Sequence, residues 1–555
     1  MNQRISTLKS LYVIILIFFV FSIYKVIHST KTTDSSTTFE EYLPYPDTLH
    51  ILARDNLTAV SPYEAIFADD VFLINQVYQG LVKLDNHMVE VPELAEYWEV
   101  DSAHVHYIFY LKKNQYFHNG EIVTADDVIA SLEYFLKYKR DSYIRPYFKV
   151  IKGVEEFWHG KTDHVEGIKK ESAFVVSFFL KHPYIPFLKL LSLPEAKVMP
   201  ISILNRKELN LDDNPIGSGA YFIKNKNKTS ILLEAFDWEK RKGKSVDVKY
   251  FKIWLDEKEI KDRIDKSNFD ITYSYIRDVN DSTGQFESFQ TPSLSLTFIG
   301  INYKKFPTNS KNLRKALFYG VDQSEVRKEF GSISSPVNFY CPLNLPRDAE
   351  TIPIQKFDYT RAKTFLNEAI QQLNSHRIPK LKIAIDSTLY SNLITNVVLR
   401  NLDSLSIPYS VTYYSDLSLE SEAEFLRNNN LFIFGWYMDV PDPEYFFDVL
   451  FNSSQSMNLM QYSNALVDSL LYESYSNKHL EDRLRSYVKI EKILMDDVPI
   501  VPLLNDYEEI IFRKSLGNVM FNRIGIVGLD LSAIHVNIEK HKQTLAYLKN
   551  VKKRS

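Results

Sequence analysis

Residues Phe434–Phe446 read FGWYMDVPDPEYF, and the reading of this stretch decides how the rest of the chain is understood. One carboxylate, Asp439, stands three residues after Trp436 and two before a Pro441-Asp442-Pro443 turn. Trp436 and Tyr437 supply aromatic surface beside it, and Met438 a soft thioether. A carboxylate in a largely apolar, aromatic-rimmed setting is a natural anchor for a ligand ammonium group. The same residues also suit a strand end whose Asp merely caps the following turn. On this segment alone both readings stand, and the flanking sequence has to separate them.

Upstream, Asp358 is placed to cap a helix over Tyr359–Gln372, with Ala362, Phe365, Leu366 and Ala369 on one face. Leu381–Ile385 then reads as a strand, Tyr390–Leu405 as a helix and Tyr409–Tyr414 as a strand. That βαβ rhythm predicts an α/β domain with a mixed or parallel sheet. Downstream, a long helix over about Leu480–Met495 leads into VPIVPLL. Towards the N-terminus, Thr48–Ala53, His106–Leu111, Phe174–Leu180 and Leu296–Asn302 have strand patterns, and Lys311–Gly320 a helical one. Asn119-Gly120 marks a turn. Thr124 with Asp127 forms a capping box for a helix that buries Val128, Leu132, Phe135 and Leu136. His118 has no second ligand at metal spacing and reads as structural. Gly217-Ser218-Gly219 lacks the Gly-Lys-Ser/Thr continuation of a phosphate loop, so a tight turn feeding a strand is expected.

At 555 residues the chain exceeds one compact domain, and two or three are expected. Apolar content of 45% and charged content of 25% are those of a globular protein. With 66 basic against 70 acidic residues, no electrostatic footprint for nucleic acid is visible. Aromatic residues reach 14%, most of which large cores would use, although Tyr and Trp also suit wet clefts. Cys341 is the only cysteine, which leaves no intramolecular disulfide and no multi-cysteine metal site. Cofactor and metal are both expected to be absent.

Arg4 and Lys9 precede an apolar run, Leu11–Tyr24, that carries no charge. Fourteen helical residues span about 21 Å, short of the roughly 30 Å hydrocarbon core, and Lys25 could snorkel to extend the run. Residues 1–29 therefore read as a signal peptide or an uncleaved anchor helix, the absence of a small-x-small cleavage pattern favouring the anchor. Residues 30–44, which include TKTTDSSTT, read as a polar tether to an exported body.

Seven segments in order carry a resemblance: VYQGLVKLD, VPELAEYWEV, FHNGEIVTADDVIASLEYF, NPIGSGAYFI, GINYKKFPTNSKNLRKALFYGVDQSEV, GWYMDVPDPEYF and VPIVPLL. Spread over about residues 48–515, they resemble the family 5 extracellular solute-binding proteins of peptide-importing ABC transporters. The resemblance implies an α/β, two-lobed clamshell of the type II periplasmic-binding-protein kind with an extra decorating domain. Domain I would comprise 45–80, 201–290 and 510–540, domain II 81–200 and domain III 291–509, followed by a basic tail over 541–555. Crossings near Gln290–Leu294 and Asn505–Glu509 would form the hinge. It also implies a peptide or similar small solute as ligand, an ABC permease as membrane partner, and a monomer on the extracytoplasmic face.

By the same resemblance Asp439 falls where peptide-binding members pair an acid with the ligand α-ammonium. Trp436, Tyr437 and Met438 fall on that ligand-facing turn, Ile66 and Ala68 on the wall of the first lobe, and Tyr143 near an aromatic of the decorating domain. Two departures stand out. Ile433 occupies a position where some oligopeptide binders have an Arg for the ligand carboxylate, and no cysteine stands where lipid-anchored members carry one. Three alternatives remain open: the same fold binding a metal chelate, haem or oligosaccharide; a tethered receptor without transport; and, remotely, an exported hydrolase. HExxH and GxSxG are both missing, so the expectation is a protein that is not an enzyme.

Overall fold

The computed structural model describes residues 48–537 apart from 54–58, 66, 140–141, 143, 206–214, 237–247, 274–283, 331–333, 336, 344, 347–356, 388, 416–418 and 478. The apolar run Leu11–Tyr24, the polar tether and the basic tail lie outside these residues, as do Ile66 and Tyr143. Among the described residues no helix is long and apolar enough to cross a membrane.

One strand organises the molecule. Ile500–Arg513 is 14 residues long, and its two halves belong to different hydrophobic cores. Ile500, Val501, Leu503 and Leu504 are buried in the core built mainly from residues 294–504. Ile510 is buried in the core built mainly from residues 49–273. The first half pairs antiparallel with Ser295–Ile301, and the second half with Ile271–Tyr273 and Phe286–Pro292. Between them lie Asn505, Asp506, Tyr507, Glu508 and Glu509, where the apolar run gives way to polar side chains.

The sheet that results has twelve strands among the described residues. On the second-core side the order runs Tyr409–Tyr414, Leu381–Asp386, Leu431–Tyr437, Ser295–Ile301 and then the long strand. On the other side it continues through Ile271–Tyr273, Thr48–Leu52, Tyr250–Trp254, Ser230–Ala235 and Tyr221–Lys226. Parallel pairing of Leu381–Asp386 with Tyr409–Tyr414, through the helix Leu389–Ser404, realises the βαβ rhythm of the sequence. A separate four-stranded antiparallel sheet, Ala95–Val100, His106–Leu111, Val175–Phe179 and Ile168–Ser172, decorates the first core.

Local signals materialise where expected. The helix Ala125–Tyr138 starts at a capping box in which Asp127 accepts from the Thr124 amide at 2.9 Å. Its other carboxylate oxygen accepts from Ile201 N, also at 2.9 Å, and so ties the helix to the segment that returns to the main sheet. Asp358 caps the helix Tyr359–Gln372 by accepting from Arg361 N at 3.0 Å. Gly217 and Gly219 pack against the end of the helix Ala68–Val77, where an added Cβ would meet Val77 O at 2.0 Å and Gln76 O at 2.2 Å. His118 straddles this turn, its ring nitrogens 3.3 Å from Gly217 N and 3.1 Å from Gly219 O, which is a structural post.

The two crossings between the cores are stitched to one another. Ser293 N donates to Asp506 O at 3.0 Å, and the Ser295 hydroxyl donates to the Asp506 carboxylate at 3.1 Å. Farther along, Arg513 and Asp270 form a fully buried pair at 3.0 Å. Asp270 also accepts from His50 N at 2.8 Å, which joins three strands at one carboxylate. Removing one member of such a pair leaves an uncompensated buried charge, at a cost of about 3–5 kcal/mol. Asp270→Ala is accordingly expected to lower the urea unfolding midpoint by that amount of stability with little change in m. A loss below about 1 kcal/mol would show that Ser267 O and Gln285, which also hold Arg513, suffice without the carboxylate.

Candidate ligand site

The strand Leu431–Tyr437 lies inside the sheet, antiparallel to Ser295–Ile301 and parallel to Leu381–Asp386. Its first residues, Leu431, Phe432 and Ile433, are buried, as suits a central strand covered on both faces. From Gly435 onwards the pattern changes to alternation. Gly435 and Asp439 are exposed and Tyr437 half-buried, whereas Trp436, Met438 and Val440 are buried. Successive side chains of extended backbone point to opposite faces, so Gly435 and Tyr437 share one face of the strand, and Asp439 is exposed in the bend just beyond its end. A Cβ on Gly435 would meet only Thr297 Oγ1, at 3.7 Å, so that face is uncrowded.

The other face is structural support. Trp436 is set in the second core and its indole N–H donates to Tyr445 O at 3.3 Å, tying the strand end to the helix Glu444–Phe451. Met438 is wholly buried in the same core, and its amide continues the ladder by donating to Leu294 O at 2.9 Å. Tyr437 reaches towards the middle of the long strand, its hydroxyl donating to Glu508 Oε1 at 3.0 Å.

Asp439 combines solvent exposure with a carboxyl that burial raises to about 6. Desolvation penalises the ionised form, and a cationic group placed beside the carboxylate would favour it again.

The turn that follows is fixed by other residues. Asp442 caps it, accepting from Glu444 N at 3.0 Å. Its carboxylate also takes a bidentate fork from Arg483, at 2.9 and 2.6 Å. Burial pushes Asp442 up, but Arg483 overrides this and holds it below the usual carboxylate range. Glu444 lies 3.4 Å from the same guanidinium, and its burial, aided by Asp442 and Asp448, raises it well above that range despite Arg483.

Two tyrosines from the first-core side close onto this helix. Tyr184 donates to Glu444 Oε1 at 3.1 Å and lies 3.3 Å from the Tyr445 hydroxyl. Tyr147 donates to Asp448 Oδ2 at 2.9 Å, its ring centroid is 4.7 Å from that of Tyr445, and it packs against both cores. Sequence reasoning named none of Asp442, Glu444, Asp448, Tyr147, Tyr184 or Arg483 as a functional residue. The one local signal was the Pro-Asp-Pro turn itself, because the contacts that bring these residues together from different elements, such as Arg483 to Glu444 and Tyr147 to Asp448, span 39 and 301 residues.

Of the remaining sequence candidates, Ala68 is exposed at the first turn of the helix Ala68–Val77. Ile433 is buried in the second core. Ile66 and Tyr143 fall outside the described residues. Among the described residues no group of three or more His, Cys, Asp or Glu side chains is placed to hold a metal ion.

Comparison with known proteins bears on this geometry. Residues 90–458 match the bacterial extracellular solute-binding proteins, family 5 Middle, which is well over half of the chain. The periplasmic murein peptide-binding protein MppA of Escherichia coli (strain K12) is 23% identical over 480 residues, covering 81% of this chain and 86% of its own. Heme-binding protein A of Haemophilus influenzae is 24% identical over 460 residues, covering 77% and 81%. Among solved structures, a putative peptide binding protein AppA from Clostridium difficile superposes with a TM-score of 0.75. It does so at 19% identity over 88% of this chain and all of that one, which carries the fold. The α/β, periplasmic-binding-protein-like fold, the ordered segments and the family match agree, and the chain belongs to the family 5 bacterial extracellular solute-binding proteins.

Proposed function

We propose that this chain is the extracytoplasmic receptor of an ABC importer that takes an extended peptide between its two lobes and pairs the ligand α-ammonium with Asp439. The observation that carries the reading is the position of Asp439. It is an exposed acid in the bend just past the end of a central strand, raised by burial to about 6 and flanked in the chain by the buried Met438 and Val440. Tyr437 stands two residues away and supplies an aromatic surface with a polar tip. Trp436 and Met438 serve from beneath by fixing the backbone that aims the acid. Ala68, exposed at a helix start, belongs to the facing wall.

In this reading the domains are 45–80 with 201–290 and 510–540, 81–200, and 291–509; the separate four-stranded sheet within 81–200 and the second core, built mainly from 294–504, support the division. The polar middle of the long strand, 505–509, and the second crossing at 290–294, antiparallel to it, then serve as the hinge. Closure brings Tyr147 and Tyr184 onto the helix that follows Asp439. Main-chain hydrogen bonds along an extended ligand would give affinity with little dependence on side chains. Relatives described as peptide-binding support this choice. The haem-binding relative supports a second reading, a non-peptide solute in the same cleft. Native mass spectrometry of the purified protein separates them, since a ladder of short peptides fits the first and a single non-peptide mass the second.

Two outcomes are expected in solution. Asp439→Asn removes the anchor charge while keeping its shape, and should weaken tri-alanine binding tenfold or more, because truncating one side of a desolvated charge pair costs about 2–5 kcal/mol. Calorimetry that finds the same affinity, with an unchanged unfolding midpoint, would sink the assignment. The second outcome concerns pH. Below about pH 6 the unliganded Asp439 holds a proton, which must leave before the ion pair forms. Affinity for tri-alanine should therefore fall as the pH drops from 7 to 5, approaching tenfold per unit below 6. The Asn variant should show a flat profile over the same range.

A further inference from the structure

The two tyrosines that meet the helix Glu444–Phe451 both come from residues 81–200, the part of the chain that carries the separate four-stranded sheet. Each is presented from a fixed support. Tyr147 lies in the short helix Arg145–Val150, whose Phe148 is wholly buried in the first core. Tyr184 is itself buried there and stands three residues before Phe187, which is wholly buried too. Rings held in this way lose little freedom when they dock, so the contact they make is pre-organised.

The receiving surface is equally well set. Glu444, Tyr445 and Asp448 are all buried, and Tyr445 packs into the first core although its helix neighbours Phe446 and Phe447 belong to the second. Each acid is also held from its own side of the contact. Glu444 Oε2 lies 3.4 Å from Arg483 while Oε1 accepts from Tyr184. Asp448 Oδ1 accepts from Asn452 at 2.6 Å and from the Tyr475 hydroxyl, while Tyr147 and Gln455 donate to Oδ2. Departure of the two tyrosines would leave each carboxylate with partners of its own, which makes the contact separable.

We infer that the decorating domain is a catch for the opposite lobe: Tyr147 and Tyr184 dock on Glu444, Tyr445 and Asp448 and hold the lobes together through side chains of the chain itself. This rests on the two-lobed reading above and gives residues 81–200 a task within it. Because every group in the contact belongs to the chain, the closed form is populated before a ligand arrives, and the ligand selects it. Apparent affinity scales with the fraction of protein in the binding-competent form, so the catch strengthens every ligand by the same factor. Asp439 differs in this respect, since its loss should be felt by ligands that bear an ammonium group.

Spin labels on Lys161→Cys and Lys489→Cys, exposed positions on the two sides, report the separation of the lobes in the full chain, the buried Cys341 staying unlabelled. Without added peptide, pulsed resonance should find a short and a long separation side by side. Tyr147→Phe combined with Tyr184→Phe keeps both rings and removes both hydroxyls. It should lower the ratio of short to long about tenfold, as the loss of two buried hydrogen bonds implies, and Tyr147→Phe alone should lower it by less. An unchanged ratio in the folded double variant overturns the inference. So does a long separation alone in the protein with both tyrosines, a result that does not depend on the variants folding. Neither arm requires peptide binding: if the ratio falls in the variants while tri-alanine fails to bind, the catch stands and the peptide reading falls.

Discussion

The bidentate fork from Arg483 to Asp442 is the constraint on which the geometry of the site depends. Both groups are buried, and the guanidinium also reaches Glu444 and the Tyr487 hydroxyl. Tyr487 in turn stacks on Phe447, with centroids 5.5 Å apart, so the long helix Leu480–Asp497 and the helix Glu444–Phe451 are locked together. The Coulombic gain of such a pair is largely cancelled by desolvation, whereas its loss is expensive, at about 3–5 kcal/mol for one partner. Its contribution is therefore positional. It holds residues 440–444 in one conformation, and Asp439 is carried on the same backbone immediately before them.

The connection between the lobes is built differently. Both crossings are extended chain within one sheet, so hydrogen bonding continues across the boundary, while apolar contact across it is limited to a few side chains such as Tyr147, Val440 and Tyr445. Hydroxyl-to-carboxylate contacts, Tyr184 to Glu444 and Tyr147 to Asp448, add to these. Net contributions of hydrogen bonds are modest, about 0.5–1.5 kcal/mol for a typical one and 1.5–3 when one partner is charged. Contacts of that size suit a receptor whose closed state must be reached on binding and left again on delivery. A ligand then shifts the balance by its own differential contacts with the closed form.

Much of the fold was legible because its signals are local. The capping box at Thr124 and Asp127, the Asp358 cap and the βαβ rhythm from Tyr359 to Tyr414 all depend on spacings of a few residues. The site was legible only in part. Composition placed Trp436, Tyr437 and Met438 beside Asp439; the structure buries Trp436 and Met438 and leaves Tyr437 half-buried. The alternation of Gly435, Trp436 and Tyr437 follows from the period of two and was available from the sequence. The partners of Asp442 and Asp448 were not, because Arg483 and Tyr147 arrive from 41 and 301 residues away.

How this chain treats its acids bears on what it binds. The buried Asp270, Asp442 and Glu93 have Arg513, Arg483 and Lys197, and the half-buried Asp530 has Lys83. At Asp442 and Asp530 the cation outweighs burial and holds the carboxyl below its ordinary range. Asp439 goes the other way, raised to about 6 with burial as the cause. Burial disfavours its ionised form and a cation beside it would favour that form again, so the ammonium proposed as its ligand would act on it as Arg483 acts on Asp442.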